Sequence, residues 1–121
     1  MMRTNKIEFL KSSEFIEEKI IYGFFSRNGG FSKVPYNSLN CSYNSGDDKQ
    51  SVDKNIIAVQ QELNIQNQKI KFIKQTHSSD VRVINHDNLF NKIIADGSIT
   101  QEKKICLAIL TADCAPIFLY D

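Results

Sequence analysis

Apolar and polar positions along the chain predict one helix and several short strands. Val52, Ile56, Val59 and Leu63 recur at helical spacing with Gln and Lys between them, so Gln50 to Leu63 reads as an amphipathic helix with Asp47 or Asp48 as its N-cap. Lys19 to Phe25 is rich in β-branched and aromatic residues and predicts a strand ending in the tight loop Ser26-Arg27-Asn28-Gly29-Gly30. Asn, Ser, Gly and Tyr then dominate from Asn28 to Asp48. A long polar loop follows, with brief extended pieces around Ser38 to Cys41, and loops of that length inside a compact domain are more often functional or poorly ordered than idle.

In the second half, Ile70, Phe72 and Ile73, then Val81, Val83 and Ile84, mark two short strands joined across Gln75 to Asp80, which places His77 at a strand end or in a loop. Ala95-Asp96-Gly97-Ser98 predicts a turn and Gln101 to Lys104 a charged one. Ile105 to Leu110 is apolar on successive residues, the pattern of a strand buried on both faces, and it ends at Thr111-Ala112-Asp113-Cys114. Ile117 to Tyr120 reads as a further strand or the start of a buried helix. One helix among several strands predicts an α+β domain rather than regular βαβ alternation.

Composition narrows the function classes. The 121 residues match one ordinary domain, and 41% hydrophobic with 24% charged residues is the balance of a globular chain that builds a core. Lys plus Arg number 15 against 14 Asp plus Glu, which leaves no excess positive potential for a phosphate backbone and argues against nucleic-acid binding. No apolar run approaches the roughly 18 residues of a spanning helix, and the N-terminus lacks a secretory pattern, so no membrane association or export is expected. Cys41, Cys106 and Cys114 form neither a disulfide framework nor a CxxC pair, which suits a reduced, cytoplasmic setting. The five glycines make no dinucleotide fingerprint or P-loop, and there is no HExxH pair.

What chemistry remains lies at element ends: Arg27 beside two glycines, Asn40 in the polar loop, His77 in its turn, and Asp113-Cys114 after an apolar strand. Taken singly, a turn histidine is usually a solvated surface residue and a cysteine after an apolar strand a small core hydrophobe.

These residues lie in motifs that follow one another in a familiar order. Phe25 to Ser32, Pro35 to Asn40, Gly46-Asp47-Asp48, Gln75-Thr76-His77, Ala95 to Thr100 and Leu110 to Pro116 together resemble the YfiH-like laccase-domain family over about Tyr22 to Asp121. That family was first called multicopper polyphenol oxidase and is now assigned as purine nucleoside phosphorylase with adenosine deaminase activity. The resemblance implies part of a four-layer α/β/β/α sandwich with mixed sheets. It also implies a catalytic zinc held by His77, Cys114 and a third histidine lying beyond Asp121. Imidazole and thiolate suit Zn²⁺, and a three-ligand site keeps a fourth position open. The family match does not select His86 as a substitute ligand, and a surface turn is the place expected for it; Cys41 and Cys106 match no ligand position.

The implied reaction is attack of phosphate on the anomeric carbon of adenosine, inosine or methylthioadenosine, with hydrolytic deamination of adenosine as a second activity. Arg27 would offer its planar fork to phosphate or base, or else support the loop. Asn40 would orient ribose hydroxyls, or else close an Asx-turn. Asp113 would orient a ligand or shuttle a proton, or else cap the following segment. The implied partners are purine nucleosides and phosphate, with self-association or a complementing C-terminal chain if the sequence is an N-terminal portion. Three other readings stand beside this one. Cys114 as a thiolate nucleophile with His77 as its base would make a hydrolase. Copper-dependent phenol oxidation would require more histidine clusters than two histidines supply. A chain short of its third ligand would be an inactive remnant.

Overall fold

The computed structural model describes residues 6–11 and 20–121. The chain folds as two compact units, residues 1–66 and 67–121.

In the first unit, β1 (Phe9–Leu10) pairs antiparallel with β2 (Phe24–Phe25), and the rings of the directly opposed Phe9 and Phe25 stack with centroids 4.7 Å apart. The strand expected over 19–25 is therefore confined to its last two residues; Lys19 lies outside the described residues, and β1 offers β2 only two partners. The polar loop that follows is not extended around 38–41. It turns at 37–39, where the Arg27 carbonyl accepts from the N–H groups of Ser38 (2.9 Å) and Leu39 (2.8 Å) and from the Ser38 hydroxyl (3.2 Å). One backbone carbonyl thus gathers both arms of the loop.

The predicted helix is present as α1 (Lys49–Leu63). Asp48 caps it, accepting from the Ser51 N–H at 3.2 Å, and Asn64 ends it in the left-handed conformation at φ 56°, which Asn tolerates better than most residues. Its buried positions are Val52, Asn55 and Ala58, while Ile56 and Leu63 are only half-buried. The inward face is rotated from the apolar count because the polar loop beside it leaves backbone groups that Asn55, fully buried, satisfies. Ile7, Leu39 and Ala58 form the core, with Phe9, Phe25, Phe31, Cys41 and Val59 packed against them.

The second unit holds β3 (Lys69–Phe72), β4 (Val81–Val83), β5 (Gly97–Ile99) and β6 (Ile105–Ala108). β3 pairs parallel with β6, from Lys69 opposite Ile105 to Phe72 opposite Ala108, and β4 pairs parallel with β5. A parallel bridge joins Lys74 to Ile94. Gly97 and Ser98, expected in a turn, belong to β5. The Asp80 carbonyl accepts from the N–H groups of Asp96 (3.0 Å) and Gly97 (3.1 Å), drawing the segment alongside β4, and a Cβ on Gly97 would already crowd Val81 at 3.1 Å. The charged turn occurs as expected, at 103–104.

The strand expected over 105–110 stops at Ala108 and is buried only at Ile105, because among the described residues β3 alone pairs with it. Ile117 to Tyr120 forms neither strand nor helix, and Ile117 and Leu119 are largely exposed. Ile84, Leu89 and Ile105 make this unit's core, packed against Ile93 and Leu107. Among the described residues, one helix, one antiparallel strand pair and two parallel strand pairs give the α+β class that the pattern predicts. Among the described residues no helix is long and apolar enough to cross a membrane.

Candidate functional site

His77 lies in the connection between β3 and β4, exposed and at φ 62°, the left-handed region that costs a non-glycine residue about 1 kcal/mol. The cost is offset by one carboxylate. Oδ1 of Asp96 accepts from the N–H groups of Thr76 (3.0 Å) and Ser78 (2.8 Å) and from the Ser78 hydroxyl (2.7 Å), and Oδ2 accepts from the His77 N–H at 2.9 Å. The Ser78 hydroxyl, then the Thr76 and Ser78 N–H groups, hold the Asp96 carboxyl far below the usual carboxylate range; partial desolvation opposes them and the His77 N–H adds to them. With its backbone fixed in this way, His77 keeps its imidazole at the surface.

The neighbouring Gln75 makes a second tie. Its Nε2 donates to the Leu110 carbonyl at 2.9 Å and its Oε1 accepts from the Leu110 N–H at 3.0 Å, so the side-chain amide brackets Leu110 as a paired strand residue would. Leu110 leads into the bend over 112–114 that carries Asp113 and Cys114, both exposed, with Cys114 a free thiol. His77, Asp113 and Cys114 thus belong to one unit, on two segments that Gln75 joins. Asp113 makes no hydrogen bond or ion pair among the described residues, so the capping alternative for it is not observed there.

His86 occupies the expected surface turn, its Nε2 3.4 Å from Glu102 Oε2. Cys41 and Cys106 are half-buried, and burial pushes both thiols up, that of Cys41 to about 11, as suits structural cysteines. Among the described residues no group of three or more His, Cys, Asp or Glu side chains is placed to hold a metal ion. The donor types of His77 and Cys114 fit zinc, and two donors are what these residues contribute.

The first unit carries Arg27 and Asn40. Arg27 commits its carbonyl to the loop and leaves its guanidinium exposed, without a partner among the described residues. Asn40 closes an Asx-turn, its Oδ1 accepting from the Ser42 N–H at 3.1 Å, and its Nδ2 donates to Ser45 Oγ (2.8 Å) and Asp47 Oδ2 (3.1 Å). Asp47 also accepts from the Ser32 hydroxyl at 2.5 Å. Desolvation raises the Asp47 carboxyl, but the hydrogen bonds from Ser32, Asn40 and the Asp48 N–H outweigh it and hold the group below its ordinary value. Asp96 and Gln75 are the site residues that sequence reasoning passes over. Both stand inside quoted motifs, beside the residue that draws attention.

The family model described as multi-copper polyphenol oxidoreductase laccase matches residues 21–121. A purine nucleoside phosphorylase of Streptomyces coelicolor is 35% identical over 103 residues, spanning 83% of this chain and 42% of the relative. The purine nucleoside phosphorylase YlmD of Bacillus subtilis is 32% identical over 112 residues, 86% of this chain and 40% of its own length. Among crystal structures, the YfiH protein of Bacillus licheniformis superposes with a TM-score of 0.78 at 27% identity, covering 91% of this chain and 45% of that one. YlmD of Geobacillus stearothermophilus gives 0.70 at 28% identity, covering 76% and 37%. The chain therefore spans about two fifths of the length of these curated relatives, 42% and 40%.

Proposed function

The chain belongs to the multi-copper polyphenol oxidoreductase laccase family, and we propose that it forms part of a zinc-dependent purine nucleoside phosphorylase. The relatives named for that activity support the reading, and the observation that carries it is the Gln75–Leu110 tie, which joins the His77 loop to the segment entering Cys114. In this reaction phosphate attacks the ribose anomeric carbon of adenosine, inosine or methylthioadenosine. The glycosidic bond breaks, and the base departs with the bonding pair and gains a proton, leaving ribose 1-phosphate.

His77 and Cys114 are the residues that would hold zinc, with a further donor from outside these residues. Zinc there would supply Lewis-acid chemistry, the kind that also suits hydrolytic deamination of adenosine. Arg27, with its guanidinium uncommitted, would take phosphate through its planar fork. Asp113, exposed beside Cys114, would move the proton or orient the ligand next to it. Asn40 shapes the loop rather than gripping ribose, because both ends of its amide are engaged there. Two histidines in the whole sequence are too few for a multi-copper centre within it. The free cysteines suit a reducing compartment, and the cytoplasm is the setting we assign.

The test is base release from inosine by the zinc-loaded chain mixed with the complementary C-terminal portion of a family relative. Equal amounts of hypoxanthine and ribose 1-phosphate are expected, lost in His77→Ala and in Cys114→Ser. Release that ignores phosphate, or that survives both substitutions, contradicts the reading.

A further inference from the structure

We propose that Asp96 and Gln75 form a two-point clamp that fixes the separation between His77 and Cys114. Asp96 positions the backbone that carries the imidazole, and Gln75 positions the chain that leads to the thiol. The inference rests on the reading of His77 and Cys114 as a working pair, and it assigns the clamp to two residues that touch neither the metal nor the substrate.

Regular pairing does not reach either functional residue. β3 ends at Phe72 and β4 begins at Val81, and between them a single bridge, Lys74 to Ile94, holds the chain before the His77 bend. β6 ends at Ala108, and Cys114 comes six positions later. A segment held only at its ends samples many conformations, and two ligands on two such segments would meet a common ion or substrate only part of the time. Each segment instead has one side-chain tie where pairing stops.

At the first segment the two oxygens of Asp96 divide their work. Oδ1 takes the groups on either side of the bend, from Thr76 and Ser78, and Oδ2 takes the His77 N–H alone. Three consecutive N–H groups converging on one carboxylate leave the bend a single arrangement, with His77 held at φ 62°. At the second segment, Gln75 uses both ends of its amide on both backbone groups of Leu110, fixing that residue in distance and in rotation across 35 positions of sequence. Because Gln75 is two residues from His77 and Leu110 is four from Cys114, the tie acts on both arms at once.

The clamp is testable without metal. In the full chain carrying His77→Cys, the effective concentration of the introduced thiol against Cys114 is measured in a glutathione redox buffer, with peptide mapping to separate this disulfide from any formed by Cys41 or Cys106. Adding Asp96→Ala or Gln75→Ala should lower that effective concentration at least about tenfold. Adding Asp96→Asn should lower it less, since an amide oxygen keeps the Thr76 and Ser78 bonds while the amide nitrogen cannot accept from His77. Amide exchange at Lys71 and Leu107, within the β3–β6 ladder, should stay slow in every variant and so separates loss of the clamp from loss of the fold. An effective concentration unchanged by both alanine substitutions overturns the clamp while leaving the paired reading intact. A disulfide that fails to form in the His77→Cys chain with Asp96 and Gln75 present overturns the paired reading, and the clamp with it.

Discussion

Asn55 donates from Nδ2 to the Ser32 hydroxyl at 2.9 Å, tying the middle of α1 to the loop 23 positions earlier. The same amide nitrogen donates to the Asn40 carbonyl at 2.7 Å, and Oδ1 accepts from the Phe31 N–H, also at 2.7 Å. One fully buried side chain therefore closes three loop groups, one of them buried and two part-buried. Asn55→Ala strands all of them and should cost about 3 kcal/mol, since each buried group left unpaired costs about 1–3 kcal/mol and the loop can relax partway. Urea unfolding of the two proteins checks this, and a loss below about 1 kcal/mol would show that the network carries little of the stability.

Gly30 answers to the same crowding. A Cβ there would come within 2.2 Å of the Ser38 carbonyl oxygen, 2.5 Å of Leu39 Cα and 2.6 Å of Asn55 Oδ1. Backbone stands in two of those directions, so Gly30→Ala should displace the turn at 37–39 and lower the thermal midpoint at least as much as Asn55→Ala does. Gly46→Ala meets only the Tyr36 side chain, though at φ 94°, and is expected to cost less than Gly30→Ala. Thermal melts of the three variants rank them.

The three cysteines should separate by reactivity and by pH. Cys114 is exposed while Cys41 and Cys106 are half-buried, so iodoacetamide at neutral pH should label Cys114 first, as mass mapping will show. Zinc that slows this labelling supports ligation; labelling indifferent to zinc, in a protein that hydrolyses a substrate, supports the nucleophile reading instead. Burial raises the Cys41 thiol from 9.0 to about 11, so its neutral form is favoured by the fold. Its contribution to stability is complete below the unfolded value and is lost as pH rises through the folded one. Tyr43, raised to about 12 by burial and then by Asp53, acts in the same direction. The first unit should therefore loosen between about pH 9 and 11, and Cys41→Ser should blunt the effect.

The helix is legible in the sequence because its N-cap and its spacing are local: Asp48 marks its start, and the apolar repeat runs to Leu63 whatever surrounds it. Its inward face is not, because Asn55 is buried by partners on a distant loop rather than by its own hydrophobicity. β5 was hidden by the turn-forming composition of Asp96-Gly97-Ser98, which in fact permits close parallel approach to Val81. At the candidate site, the family resemblance singles out His77 and Cys114, which residue type alone does not, whereas Asp96 and Gln75 act through hydrogen bonds to backbone across 18 to 35 positions, which no local pattern announces.

Equilibrium dialysis of the chain against Zn²⁺ decides whether His77 and Cys114 act together as zinc donors. Two protein donors leave the ion largely hydrated, so binding should be weak, well short of the ~10–16 kcal/mol of complete structural zinc sites, at one ion per chain. His77→Ala and Cys114→Ser should each abolish this binding, while His86→Ala leaves it unchanged. Binding that survives both His77→Ala and Cys114→Ser, or that disappears with His86→Ala instead, would show that His77 and Cys114 are not the donors.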